Sequence, residues 1–155
     1  MSEPSNTLHQ SRLHSHQPGW FDLLSVIVAG MLENAGEQES QLFLQQMGQQ
    51  LAQRYPLESA RTVRDLEVQI NLALSRFNWG FVDIEPLENA LVITHRALPA
   101  GDEHLEAVHW RDAMGAVLTG LYAAWLRAQG GSEQVPLVCD SVSDDAALLF
   151  RYQNS

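Results

Sequence analysis

A chain of 155 residues, 45% of them hydrophobic, is long enough to bury one core and has about the length of a single domain. Nine basic against nineteen acidic residues leave a net charge of -10, which repels phosphate backbones and anionic headgroups and argues against nucleic acid or membrane surfaces as partners. The single cysteine, Cys139, cannot close an internal disulfide, so nothing in the cysteine count calls for an oxidising compartment.

Residues 1–17 are mostly Ser, His, Gln, Asn and Pro, the composition of a disordered polar tail ahead of one domain, 18–155. They hold no apolar run of the kind a secretory signal needs. The first hydrophobic stretch, Leu23 to Leu32, is shorter than the roughly 20 residues that cross a bilayer. The expectation is a cytoplasmic protein with no transmembrane segment.

After Pro18-Gly19 the spacing predicts a first helix over about Trp20 to Asn34, burying Phe21, Leu24, Val28, Met31 and Leu32, with Gly36 as a turn. A second helix begins near Glu37, carries Leu42, Phe43, Met47 and Leu51 on one side, and stops at Tyr55-Pro56. A third, from about Glu58 to Phe77, has a stripe of Val63, Leu66, Ile70, Leu74 and Phe77 spaced by three and four. Its other face holds Arg61, Arg64, Asp65, Glu67 and Arg76, a solvated or subunit-facing surface.

The corner Asn78-Trp79-Gly80 follows, with Gly80 expected to take the positive φ that ends the helix. Phe81, Val82 and Ile84 read as a strand, Pro86 to Asn89 as a turn, and Leu91 to Ile93 as a return strand leading to His95. Beyond a loop at Pro99 to Glu103, a fourth helix is expected from about Leu105 to Gln129, with Val108, Met114, Val117, Leu121 and Trp125 as its stripe. Gly130-Gly131 stops it. Two last strands, Val135 to Asp140 and Ala146 to Tyr152, flank a turn at Ser143-Asp144-Asp145. The order predicts an α+β fold of four main helices with a small, mainly antiparallel sheet of two hairpins.

No catalytic signature stands out among these elements. Glu106 and His109 have the E-x-x-H spacing of di-iron bundles, but no second such pair exists, so no metal is expected. His104 and His109 do not share a helix face, and His9, His14 and His16 are read as part of the polar tail. His95 is expected to be buried and hydrogen-bonded at the sheet end. Asp83 and Glu85 share the solvent face of a strand and Asp144 and Asp145 a turn, neither arrangement being the cleft that glycoside hydrolysis needs. Among the tryptophans, Trp125 is expected in the core and Trp79 in the corner. Trp20 and Trp110, near element starts, are candidates for glucan or subunit contact.

The stretch from Leu74 to Pro99, the helix with Leu118, Gly120, Leu121, Tyr122 and Trp125, and the ending Leu148, Leu149, Phe150 and Tyr152 together resemble the BcsD family, encoded in bacterial cellulose synthase operons. The resemblance covers roughly Phe21 to the C-terminus. It implies a non-catalytic, cofactor-free scaffold of cellulose biosynthesis and secretion that organises cellulose synthase complexes so that their glucan chains crystallise together. It also implies a ring-like homo-octamer assembled from dimers, with internal passages that glucan has been proposed to traverse, and a proline-rich partner from the same operon. A periplasmic setting belongs to the passage account, which makes the chain a guiding channel that binds cello-oligosaccharides. The missing signal favours the cytoplasmic scaffold. A small-ligand sensor or adaptor is the other alternative.

Overall fold

The computed structural model describes residues 19–101, 105–131, 135–142 and 147–153. The first helix, α1, runs over Trp20–Arg54. At its start the Asp22 carboxylate accepts a hydrogen bond from the Gly19 N–H at 3.1 Å, which satisfies a donor that the helix itself cannot. Gly36, at φ 82° and ψ 170°, breaks the helical path within it. The spacing predicts two separate helices here and four in all, whereas the described residues form three. The predicted turn shrinks to this one glycine, because a residue without Cβ absorbs the change of direction and helix resumes at once on either side.

The second half of α1 buries Ser40, Leu44, Gly48 and Ala52, a four-residue repeat of mostly small side chains. Leu42 and Phe43, expected on the inner side, are exposed instead, as is Leu24 in the first half. The partner is α3, Ala107–Ala128. A Cβ on Gly48 would lie 1.9 Å from the Val117 carbonyl oxygen, and one on Gly120 would lie 1.9 Å from that of Gln45. The two helices therefore touch backbone to backbone, and bulky residues are excluded from the seam. In α3 itself Met114, Leu121 and Trp125 are buried as their spacing predicts, whereas Val108 in the first turn is exposed.

The helix α2 spans Val63–Phe77, and the Thr62 hydroxyl caps it by accepting from the Asp65 N–H at 3.0 Å. It starts five residues later than expected because residues 56–60 form a loop held by α3. The Gln129 side chain accepts from the Ala60 N–H at 2.9 Å and donates to the Glu58 carbonyl at 2.8 Å, while Trp125 Nε1 donates to the Tyr55 carbonyl at 2.9 Å. Leu66, Ile70 and Leu74 of α2 are buried, the stripe read from the sequence.

The strands are β1 (Phe81–Leu87), β2 (Ala90–Arg96), β3 (Leu137–Val142) and β4 (Leu148–Gln153). They form one antiparallel sheet in the order β1-β2-β4-β3, so the last strand lies between β2 and β3. Strands β1 and β2 extend further than expected, to a two-residue turn at Glu88-Asn89, since Leu87 pairs with Ala90. Pro86 is tolerated because β1 lies on the edge. The expected turn at Ser143 to Asp145 lies outside the described residues, as do the tail histidines and His104.

The free edge of β1 is sealed by side chains of α2. The Asn71 amide accepts from the Val82 N–H at 2.7 Å and donates to the Val82 carbonyl at 3.0 Å, as a neighbouring strand would. One pleat along, the Glu67 carboxylate accepts from the Ile84 N–H at 2.8 Å. Exposed strand edges recruit other strands, and these contacts close one. Asn71→Ala removes both partners of Val82 and is expected to cost about 1–3 kcal/mol in denaturant unfolding. A loss within experimental error would show that water replaces the amide without penalty.

Candidate functional site

The hairpin corner is built from the end of α2 outward. Asn78 takes the left-handed conformation at φ 58°, the role expected of Gly80, because asparagine tolerates it and its N–H reaches back to the Leu74 and Ser75 carbonyls. Gly80 is also at positive φ, 96°, and a Cβ there would lie 2.1 Å from the Arg96 carbonyl oxygen. Trp79 is half-buried, with its ring 5.0 Å from that of Phe77.

His95 fastens this corner to the sheet and to α3. Its side chain is fully buried, with Nε2 2.6 Å from the Trp79 carbonyl oxygen and Nδ1 2.5 Å from the Tyr122 hydroxyl. A carbonyl can only accept, so Nε2 carries the proton and Nδ1 accepts from the Tyr122 O–H. Burial lowers the His95 pKa and outweighs the opposing hydrogen bond to Trp79, while burial alone drives that of Tyr122 well above its usual range. A neutral imidazole in one tautomer is thus a structural clamp here. A general base would need an open path to substrate, and this ring is enclosed by Tyr122, which in turn packs edge-on against Phe150.

The two tryptophans singled out for contact separate. Trp20 is 74% exposed at the start of α1, whereas Trp110 is 5% exposed, lies with its ring 5.2 Å from that of Phe21 and donates from Nε1 to the Pro99 carbonyl. Its place near a helix start suggests exposure, but α1 folds back over it. Trp125 is buried as expected. Asp83 and Glu85 face solvent, Asp83 pairing with Arg96 at 2.8 Å. Glu106 and His109 are 3.9 Å apart on the surface, and among the described residues no group of three His, Cys, Asp or Glu side chains could hold a metal.

A groove of about 560 Å³ lies between α1, α3 and β3, lined among others by Gln41, Gln45, Arg111, Asp112 and Thr119. The Asp112 carboxyl is raised in pKa by burial and by the charge of Glu37. Glu37 lines the adjoining groove with His109, so the two carboxylates do not share one cleft as an acid and base pair would. What the molecule does present is apolar helix surface. Trp20, Leu23, Leu24, Val26 and Ile27 in the first half of α1, with Leu42 and Phe43 in the second, are all exposed. Only the run from Leu42 to Gln46 signals this in advance, because it carries more apolar surface than one small domain hides.

A family model for the cellulose synthase D component matches residues 6–153. The chain belongs to that family. It is similar to cellulose synthase operon protein D of Komagataeibacter xylinus and of Komagataeibacter sucrofermentans, 31% identical to each over 103 residues. The match covers 64% of this chain and 64% of each relative. Among solved structures, a trafficking protein particle complex subunit 3 from Naegleria fowleri, covalently bound to palmitic acid, aligns with 93% of this chain and 99% of its own, at a TM-score of 0.53 and 14% identity. At that identity the likeness is one of fold alone. Among the described residues of this member of the cellulose synthase D family, no helix is long and apolar enough to cross a membrane.

Proposed function

We propose that this chain is a non-catalytic scaffold component of a bacterial cellulose synthesis and secretion system, which assembles with itself and organises synthase complexes so that their glucan chains crystallise together. Family membership supports the setting, and the exposed apolar face of α1 carries the assembly. Trp20, Leu23, Leu24 and Ile27 fall at successive helical spacings of three and four, so they share one side of the helix, and all four are exposed. A contiguous apolar stripe of this kind marks an interaction surface. The homo-octamer of dimers and the proline-rich operon partner belong to the same reading, as does a cytoplasmic placement.

Light scattering coupled to size exclusion is expected to give a mass several times 17.3 kDa, and Ile27→Glu is expected to lower it. A monomer at micromolar concentration would refute the scaffold. The exposure of Trp20 favours one further reading, a glucan-guiding passage, since an indole face stacks on glucose rings. In that case cello-oligosaccharides should change the tryptophan fluorescence of the wild type and not of Trp20→Ala.

A further inference from the structure

None of the nine basic residues of this acidic chain is a lysine. Two of the arginines, Arg54 in the last turn of α1 and Arg76 in the last turn of α2, line one groove of about 400 Å³. A last-turn arginine complements the helix dipole, which accounts for each singly. The dipole does not account for both opening on the same groove, nor for what lies between them. Tyr55, Leu57, Leu72 and Ala73 line that groove, with Leu72 61% and Tyr55 41% exposed. Neither guanidinium forms an ion pair with another described residue. Glu58 is the acidic residue on the rim.

The groove is also preformed. One wall is the loop of residues 55–60, which Trp125 and Gln129 hold through three side-chain hydrogen bonds to its backbone. Tyr55 is fixed further by an edge-on contact with Phe77 at 4.8 Å. A wall ordered before binding loses little entropy when a partner docks.

We propose that this groove docks an acidic segment of another protein, with a large apolar side chain seated on Tyr55 and Leu72 and carboxylates on either side of it held by Arg54 and Arg76. Arginine is the side chain suited to this task, since its planar fork binds a carboxylate through two parallel hydrogen bonds. With a net charge of -10, the chain repels acidic segments over most of its surface, which confines docking to a place where two guanidiniums without an ion-pair partner among the described residues line one groove. The inference extends the scaffold reading by giving a partner's chemistry, yet it rests on the groove alone and is tested apart from assembly.

The test is to pan a phage-displayed library of random linear peptides against the immobilised full-length protein, then measure the selected peptides by fluorescence anisotropy. Selected sequences are expected to carry Asp or Glu on both sides of an aromatic or aliphatic residue. The double variant Arg54→Gln/Arg76→Gln is expected to bind them at least roughly tenfold more weakly, since two charge-assisted contacts are lost. Both positions are exposed, so its melting temperature and its mass by light scattering should match the wild type. Neutral or basic selected peptides, equal binding by the double variant, or failure to select any peptide would overturn the proposal. A drop in mass of the double variant would overturn it as well, by showing the groove to be a contact between copies. A wild-type monomer that still selects acidic peptides would sink the scaffold and leave the groove standing.

Discussion

Gly120→Val is expected to cost about 3 kcal/mol or more, enough to leave the chain largely unfolded if its stability sits at the low end of ordinary domains. The reason is that the obstacle is backbone. A Cβ at this position would come 1.9 Å from the Gln45 carbonyl oxygen and 2.7 Å from its carbon, and a main chain within a helix cannot swing aside as a side chain can. Relief requires α1 and α3 to separate along the whole seam of Ser40, Leu44, Gly48 and Ala52. Gly30 provides the control, because it is helical and has nothing within 4 Å of its Cβ position. Gly30→Ala is expected to stabilise by about 0.5–1 kcal/mol through reduced freedom of the unfolded chain. Chemical denaturation of the two variants beside the wild type decides the matter, and a Gly120→Val protein with a native midpoint would mean the helices are not in backbone contact.

Acidification is expected to release the corner through His95. The folded-state pKa of this imidazole lies below the ordinary 6.5 because burial disfavours the cation. Between the two values the unfolded chain binds a proton that the folded chain refuses. Stability from this group is therefore complete above about pH 6.5 and is lost as the pH falls through that window. The hydrogen-bond pattern sharpens the effect. A protonated ring would turn Nδ1 into a donor facing the Tyr122 hydroxyl, whose own proton would then have to turn away from the ring that accepts it. Asp112, raised by burial and by Glu37, acts in the opposite sense in the carboxylate range and partly masks the loss at lower pH.

His95→Gln isolates the titration. Glutamine still offers one donor and one acceptor but does not ionise in this range. Its melting temperature should be lower than that of the wild type near pH 8 and should fall less between about pH 7 and 5. Parallel curves for the two proteins would remove His95 as the source of the pH dependence. Tyr122→Phe should cost about 1–3 kcal/mol at neutral pH, since Nδ1 loses its donor inside the core.

Much of the fold is legible in the sequence where one physical signal acts alone. The stripe of α2 and the alternation in β1 need only periodicity, and His95 at the end of an apolar strand is buried as its position predicts. Reading fails where small residues decide the packing. Leu42, Phe43 and Met47 draw attention by size, yet the buried line is Ser40, Leu44, Gly48 and Ala52, and its logic appears only once Gly120 is placed opposite. Trp110 is misread for a related reason, since no local signal shows α1 returning across it. The groove between Arg54 and Arg76 is invisible in the sequence because its wall is a loop tied by Gln129, about seventy positions away.

The strand order has a consequence for how a newly made chain comes together. Strands β1 and β2 close on a local turn, whereas β2 and β4 pair from opposite sides of α3, so an interior strand of the sheet is the last to be synthesised. Until β4 arrives, β2 presents an open edge and the Tyr122 ring lacks Phe150 against it. Non-local pairing of this kind is slow. A chain interrupted before Leu148 would then carry its apolar α1 face with no completed sheet behind it, and the finished protomer can arise only after translation has passed β4.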